Sequence, residues 1–207
     1  MSLQRPFVKD LLVLDLETTG RDPLVHEVLE IGALFLDRTT LVTKKTFHSL
    51  LRPRHLDQAD PASMRIHGLS EEQLRSAPDA SEVVERFLDS FGTDFILCGW
   101  NIGFDSLFLG ELLKKTGRNS ELRSIDYHLL DLWTLANWTR VVGRIDFPSS
   151  SLSQLCEAWG LSRSLLHSAL EDACLCAEVL RKLTATLTEE TSEKRNRMDR
   201  ACASADV

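Results

Sequence analysis

Apolar positions change their spacing along the chain, and the changes divide it into strands and helices. The first run, Leu11-Leu12-Val13-Leu14, is continuously apolar and leads into Asp15-Leu16-Glu17-Thr18-Thr19-Gly20. Such a run, closed by a glycine-containing turn, reads as a buried central strand over about residues 11–16. Arg21-Asp22-Pro23 is a turn by composition. Strands at about 25–37 and 41–51 follow, close enough to predict an antiparallel hairpin. Residues 54–69, which hold Ile66-His67-Gly68-Leu69, show no period and read as irregular. Ser70 and Gln73 form a capping box, and Asp79 and Glu82 repeat that cue before an amphipathic stripe of Val83, Val84, Phe87 and Leu88. Phe95 to Trp100 is a short apolar strand, followed by a helix with Phe104, Leu107, Phe108 and Leu112 on one face and Gly117 to close it. Residues 127–132 read as a fifth strand entering a helix, and 139–150 as a loop. Ser151 with Gln154, and Ser168 with Glu171, open two more helices, the last ending near Leu183. A hairpin followed by strands alternating with helices predicts an α/β fold, one mixed sheet flanked by helices.

The chain has 207 residues and 43% hydrophobic content, which suits one domain with a full core. We expect that domain over 1–183, with the polar residues 184–207 as a fraying extension or tail. No signal-peptide pattern precedes Leu11 and no apolar run reaches membrane-span length, so a soluble, cytoplasmic protein without a membrane role is expected. Five cysteines in no disulfide-like spacing fit a reducing compartment. Cys174 and Cys176 point to different helix faces, which disfavours zinc. A net charge of −7 gives no global basic signal for nucleic acid.

Side chains alternate along a strand, so Asp15 and Glu17 share a face. Two acids there are either a solvated turn or a seat for a hard divalent cation. Asp105 sits just after a strand, where an acid commonly caps a helix. Asp172 lies one turn into the last helix, where its charge suits the dipole. All four stand at element ends, and ligands of such sheets gather at strand carboxyl ends. His167, five residues before Asp172, places a base of near-neutral pKa beside these acids. Glu30, Asp131 and Asp146 are left out of the set, Asp131 as an ordinary helix cap.

Three stretches, Asp15-Leu16-Glu17-Thr18-Thr19-Gly20, Asn101-Ile102-Gly103-Phe104-Asp105 and His167-Ser168-Ala169-Leu170-Glu171-Asp172-Ala173, together resemble the motifs of the DEDDh (DnaQ-like) 3′–5′ exonucleases. Ile66-His67-Gly68-Leu69 resembles the loop between the first two, and the ordered match spans about residues 9–183. The resemblance implies the ribonuclease H-like fold, a five-stranded mixed sheet with its second strand antiparallel. It implies that Asp15, Glu17, Asp105 and Asp172 hold two Mg²⁺ or Mn²⁺ ions. Asp15 would bridge them, Glu17 and Asp172 would complete one site, and Asp105 would serve the other. His167 would take a proton from the attacking water. The backbone near Glu17 and Thr18, with Leu69, would hold the terminal nucleotide, and Asn101 and Phe104 would sit near the terminal bases, although Phe104 also fits core packing. The implied substrate is single-stranded DNA or a frayed 3′ end, with RNA as the alternative and a DNA polymerase as a possible partner. A non-catalytic nucleic-acid scaffold is the remaining reading. The sequence is silent on oligomeric state. Basic residues are scattered (Lys44, Lys45, Arg52, Arg54, Arg65, Lys114, Lys115, Arg140, Arg144 and Arg163), and the sequence does not say which would track phosphates.

Overall fold

The computed structural model describes residues 6–147, 151–161 and 168–203, with the backbone alone beyond residue 188. Five strands form one sheet: β1 (Leu11–Thr18), β2 (Val28–Leu36), β3 (Thr43–Leu50), β4 (Ile96–Gly99) and β5 (Leu129–Asp131), in the order β3-β2-β1-β4-β5. β2 runs antiparallel to both β1 and β3, while β1, β4 and β5 are parallel. The expected mixed sheet and hairpin are therefore present. β2 begins later than its apolar content suggested, because the N–H groups of Val25 and His26 both turn back to the Asp22 carbonyl.

Eight helices surround the sheet among the described residues: α1 (Pro61–His67), α2 (Glu71–Ser76), α3 (Ala80–Phe91), α4 (Gly103–Lys115), α5 (Asn119–Ser124), α6 (Leu132–Val141), α7 (Leu152–Ala158) and α8 (Ala169–Ala203). The caps at Ser70, Asp79 and Ser151 form as read, the first as a full capping box. Two readings are corrected. Residues 54–69 are not wholly irregular: the Asp60 side chain accepts the Ala62 N–H, Pro61 sets the first helical position, and Gly68 closes α1 at φ 67°. A helix this short has no room for a periodic stripe, so only its caps announce it. The last helix also continues past Leu183 to Ala203. Residues 184–203 contain no glycine or proline and hold three each of Glu, Arg and Ala, residues that favour helix.

Alternation along β1 separates two cores. Leu12, Leu14 and Leu16 pack with Val83, Phe87 and Phe108 from α3 and α4. Leu11 and Val13 face α8, against Ala173, Cys176, Ala177 and Leu180. Asp15 and Glu17 continue that second face, so the alternation that buries β1 also aims both acids at α8. Small α8 residues bring the helix close, and Gly32 removes the last obstacle. Gly32 pairs with Asp15 across the sheet, and a β-carbon there would lie 2.1 Å from the Ala169 backbone.

Candidate active site

β1 and β4 pair from Leu11 and Ile96 as far as Val13 and Cys98. Beyond that point their carboxyl ends part, and their onward connections leave in opposite directions, to β2 and to β5. This is the switch-point crevice of an open α/β sheet. The β1–β2 register shifts between Glu17 and Thr18, a bulge that ends the ladder beside the crevice.

Three of the expected acids meet there. Carboxylate oxygens of Asp15, Glu17 and Asp172 all lie within 4.8 Å of one another, the first two half-buried and the third buried. Asp172 is delivered by the first turn of α8. Asp105 is not the helix cap that its position allowed, since Ile102 precedes α4 there. Its carboxylate is buried and accepts the Leu16 N–H at 3.0 Å, the donor between Asp15 and Glu17 that the parting strands leave open. Burial pushes the Asp105 carboxyl up to about 8, against the opposing pull of backbone donors. An all-oxygen trio of anions beside a fourth, desolvated carboxyl is a donor set suited to a hard divalent cation. His167 lies outside the described residues.

Glu30 was set aside from the site, and its side chain turns elsewhere. It is buried and meets His48 Nε2 at 2.7 Å and accepts Ser168 Oγ–H at 3.2 Å. It thus fastens the start of α8 to β2, upstream of Asp172. Asp131 accepts the Thr134 N–H at 2.8 Å and caps α6, as read. Among the cysteines with described side chains, none is bridged.

A cleft of about 410 Å³ opens beside Glu17. Thr18, Asn101 and Phe104 line it, as expected; Leu69 does not, and its N–H is bonded to His67 Nδ1 at 3.1 Å. Ser63, Ile66 and His67 of α1 supply that wall instead, with Arg21 from the turn after β1. The sequence did not reveal Ser63 because α1 reads as irregular chain; the Asp60-Pro61 start was the available signal. Arg21 reads only as part of a turn. Asn101 adopts φ 59°, a left-handed conformation that asparagine tolerates, where the chain turns from β4 into α4. Thr18 Oγ1–H donates to the Gly20 carbonyl at 2.7 Å and holds the turn closed.

No helix among the described residues is long and apolar enough to cross a membrane. In comparisons with known proteins, the family model described as exonuclease matches residues 12–180. The DNA polymerase III subunit epsilon of Rickettsia felis is 36% identical over 178 residues, which cover 84% of this chain and 73% of that protein. The PolC-type DNA polymerase III of Thermotoga maritima is 33% identical over 168 residues, but the match covers only 11% of its length. Among solved structures, E. coli exonuclease I in complex with a dT13 oligonucleotide superposes with a TM-score of 0.76 at 17% identity. That likeness is one of fold; it covers 89% of this chain and 43% of the other. The crevice between β1 and β4, its converging acids and a family match running from β1 into α8 agree, and the chain belongs to the DEDDh 3′–5′ exonucleases of the ribonuclease H-like fold, a family of phosphodiester hydrolases.

Proposed function

We propose that the chain removes nucleotides from the 3′ end of single-stranded or frayed DNA and releases nucleoside 5′-monophosphates, in proofreading or repair. The observation that carries this reading is the convergence of Asp15, Glu17 and Asp172, with Glu17 also lining a cleft of about 410 Å³. DNA rather than RNA is supported by the relatives, whose names are those of DNA polymerase III subunits, and a DNA polymerase is the corresponding partner.

Asp15, Glu17 and Asp172 would hold one of two Mg²⁺ or Mn²⁺ ions, and Asp15 with Asp105 the other. When bound, such a pair offsets the phosphodiester charge, lowers the pKa of water and stabilises both attacking and leaving oxygens. The chain's own groups do the rest. Thr18 and the backbone at Glu17 hold the terminal nucleotide in the cleft. Phe104 offers a ring face to a base without choosing among bases, which suits an enzyme that must accept every 3′ end. Asn101 lies beside it, and Leu69 steadies the loop after α1 rather than touching the nucleotide. His167 takes the proton from the attacking water, and the α8 start held by Glu30 and Ser168 fixes the chain next to it.

The test uses matched DNA and RNA oligonucleotides labelled at the 5′ end, with Mg²⁺, Mn²⁺ or EDTA. A metal-dependent ladder shortening by single nucleotides, faster on DNA, is expected. Cleavage in EDTA, internal cuts or faster loss of RNA would overturn the reading. His167→Ala should lower kcat on the order of a hundredfold or more while metal binding persists. An unchanged pH–rate profile would remove His167 from the base role.

A further inference from the structure

Across the catalytic turn from the cleft lies a second cavity, of about 530 Å³. The same three segments line both, through different residues. The β1–β2 connection gives Gly20 and Arg21 to the cleft and residues 23–28 to the cavity. The segment after β3 gives Arg52, Arg54 and His55 to the cavity, and further on Ser63 and His67 to the cleft. On α4, Phe104 lines the cleft, while Phe108 and Leu112, one and two turns on, line the cavity. The rings of Phe104 and Phe108 are in contact, 4.8 Å between centroids.

One side of the cavity is basic. Arg52, Arg54 and Lys115 reach it from two directions. The acids beside them are engaged. Glu27 Oε2 accepts the N–H groups of Arg54 and His55 at 2.9 and 2.8 Å, and Glu111 pairs with Lys114 at 2.6 Å. Asp79 stands 3.9 Å from both guanidinium groups and also caps α3. The Lys115 amine reaches the neutral Pro23 carbonyl at 3.4 Å. Two guanidinium groups and an ammonium thus line the cavity, with the Glu27 and Glu111 carboxylates in the same wall and Asp79 beside the guanidinium groups. The other side is apolar: Val28, Phe108 and Leu112 form its floor. On its lip Leu24 and Val25 are 73% and 46% exposed, which leaves two adjacent apolar side chains open beside the cavity. A simple anion would leave the apolar wall wet, and an apolar ligand would strip water from the cations without replacing it. A flat apolar body carrying a phosphate satisfies both.

We propose that this cavity is a second nucleotide site, taking a nucleoside 5′-phosphate with its phosphate toward Arg52, Arg54 and Lys115 and its base against Leu24, Val25 and Phe108. The proposal rests on the exonuclease reading, because that reaction supplies two sources of the same chemistry. One is an upstream nucleotide of the strand whose 3′ end lies in the cleft; the other is a released mononucleotide. Occupancy is connected to the catalytic turn. The Glu27 N–H donates to Thr19 Oγ1 at 2.9 Å, and the Thr19 N–H donates back to the Glu27 carbonyl at 2.9 Å. The His26 ring packs on Gly20 so closely that a β-carbon there would lie 2.2 Å from it.

The test is equilibrium binding in EDTA, where no turnover occurs, of a thymidine dinucleotide, an octamer and thymidine monophosphate. Wild type is compared with Arg54→Glu/Lys115→Glu, and with Arg75→Glu/Arg86→Glu as a charge-matched change elsewhere. The cavity pair should bind the octamer about tenfold more weakly, with dinucleotide hydrolysis in Mg²⁺ unchanged. That result identifies the upstream nucleotide; an equal loss confined to the monophosphate identifies the free product. Should the reversal unfold, Arg54→Gln/Lys115→Gln carries the same comparison. Wild-type affinity for all three ligands, or an equal loss in the charge-matched pair, overturns the proposal. Failure of the wild type to hydrolyse the dinucleotide refutes the exonuclease reading instead, and leaves the binding comparison to decide the cavity.

Discussion

At the scale of single residues, the site depends on anions held where anions repel. With three carboxylate groups within 4.8 Å, the protein without metal carries strain that a cation relieves. Asp15→Asn or Asp172→Asn should therefore fold, with a metal-free melting temperature equal to or above wild type, and lose hydrolysis on the order of a thousandfold or more. Full activity in either variant would remove the metal role. Asp15 and Glu17 were legible as a pair because a period of two puts them on one side of β1. Asp105 was legible only in part. Its burial comes from the parting of β1 and β4, which no local pattern records, so its position taken alone favoured an ordinary cap and only the other acids moved the balance. That burial has a pH consequence. The unfolded carboxyl ionises near its ordinary 3.8, while the folded one keeps its proton to about 8. The folded chain binds more protons across that interval, so this contribution to stability is complete below the lower value and is lost as pH rises toward the upper. In EDTA, the urea midpoint should fall between about pH 5 and about 8, and Asp105→Asn should flatten the fall. Asp37, held below its ordinary value by Lys44 and the Thr40 N–H, acts with the opposite sign and in the acid range. A wild-type slope that persists in Asp105→Asn would place the titration elsewhere.

At the scale of elements, the decisive contact is α8 on the β1–β2 face. The sequence announced α8 by its cap and the strands by their apolar runs, but not the approach between them. Gly32 looked like any glycine in a strand, and only the packed structure shows the Ala169 backbone where its side chain would be. Gly32→Ala should push the helix start away, carry Asp172 from Asp15, and cost on the order of 1–3 kcal/mol as an overpacked core does. Gly103→Ala, with open space around its β-carbon, should cost far less. Chemical denaturation of the two variants, with Mg²⁺-dependent turnover beside it, makes the comparison. Equal behaviour would mean that helix and sheet yield more easily than their packing indicates. Short helices were the least legible elements. α1 and α5 span 7 and 6 residues, too few for a stripe to repeat, so caps alone could signal them. α1 matters because it supplies a wall of the cleft.

At the scale of the whole molecule, a chain of net charge −7 must attract a polyanion. Cations held at the acidic trio would reverse the sign at the reacting end only. The remaining attraction has to come from local clusters. Three of the cations the sequence offered for a phosphate track are engaged elsewhere: Lys44 with Asp10 and Asp37, Lys45 with the Ser90 carbonyl, Lys114 with Glu111. Arg52, Arg54 and Lys115 converge instead on one cavity beside the cleft, a grouping that joins the segment after β3 to the end of α4 and that no linear spacing reveals. This arrangement predicts a salt dependence that changes with strand length. A dinucleotide confined to the cleft releases few counterions, so its kcat/KM should vary little with added salt. An octamer reaching the basic cavity should respond as a ligand with about three neutralised phosphates, a slope near −2 in log kcat/KM against log salt. Arg54→Gln should reduce that slope by roughly one contact. Slopes measured at constant Mg²⁺ check this directly. Equal slopes for the two substrates would mean that the strand leaves the cleft along some other face of the protein.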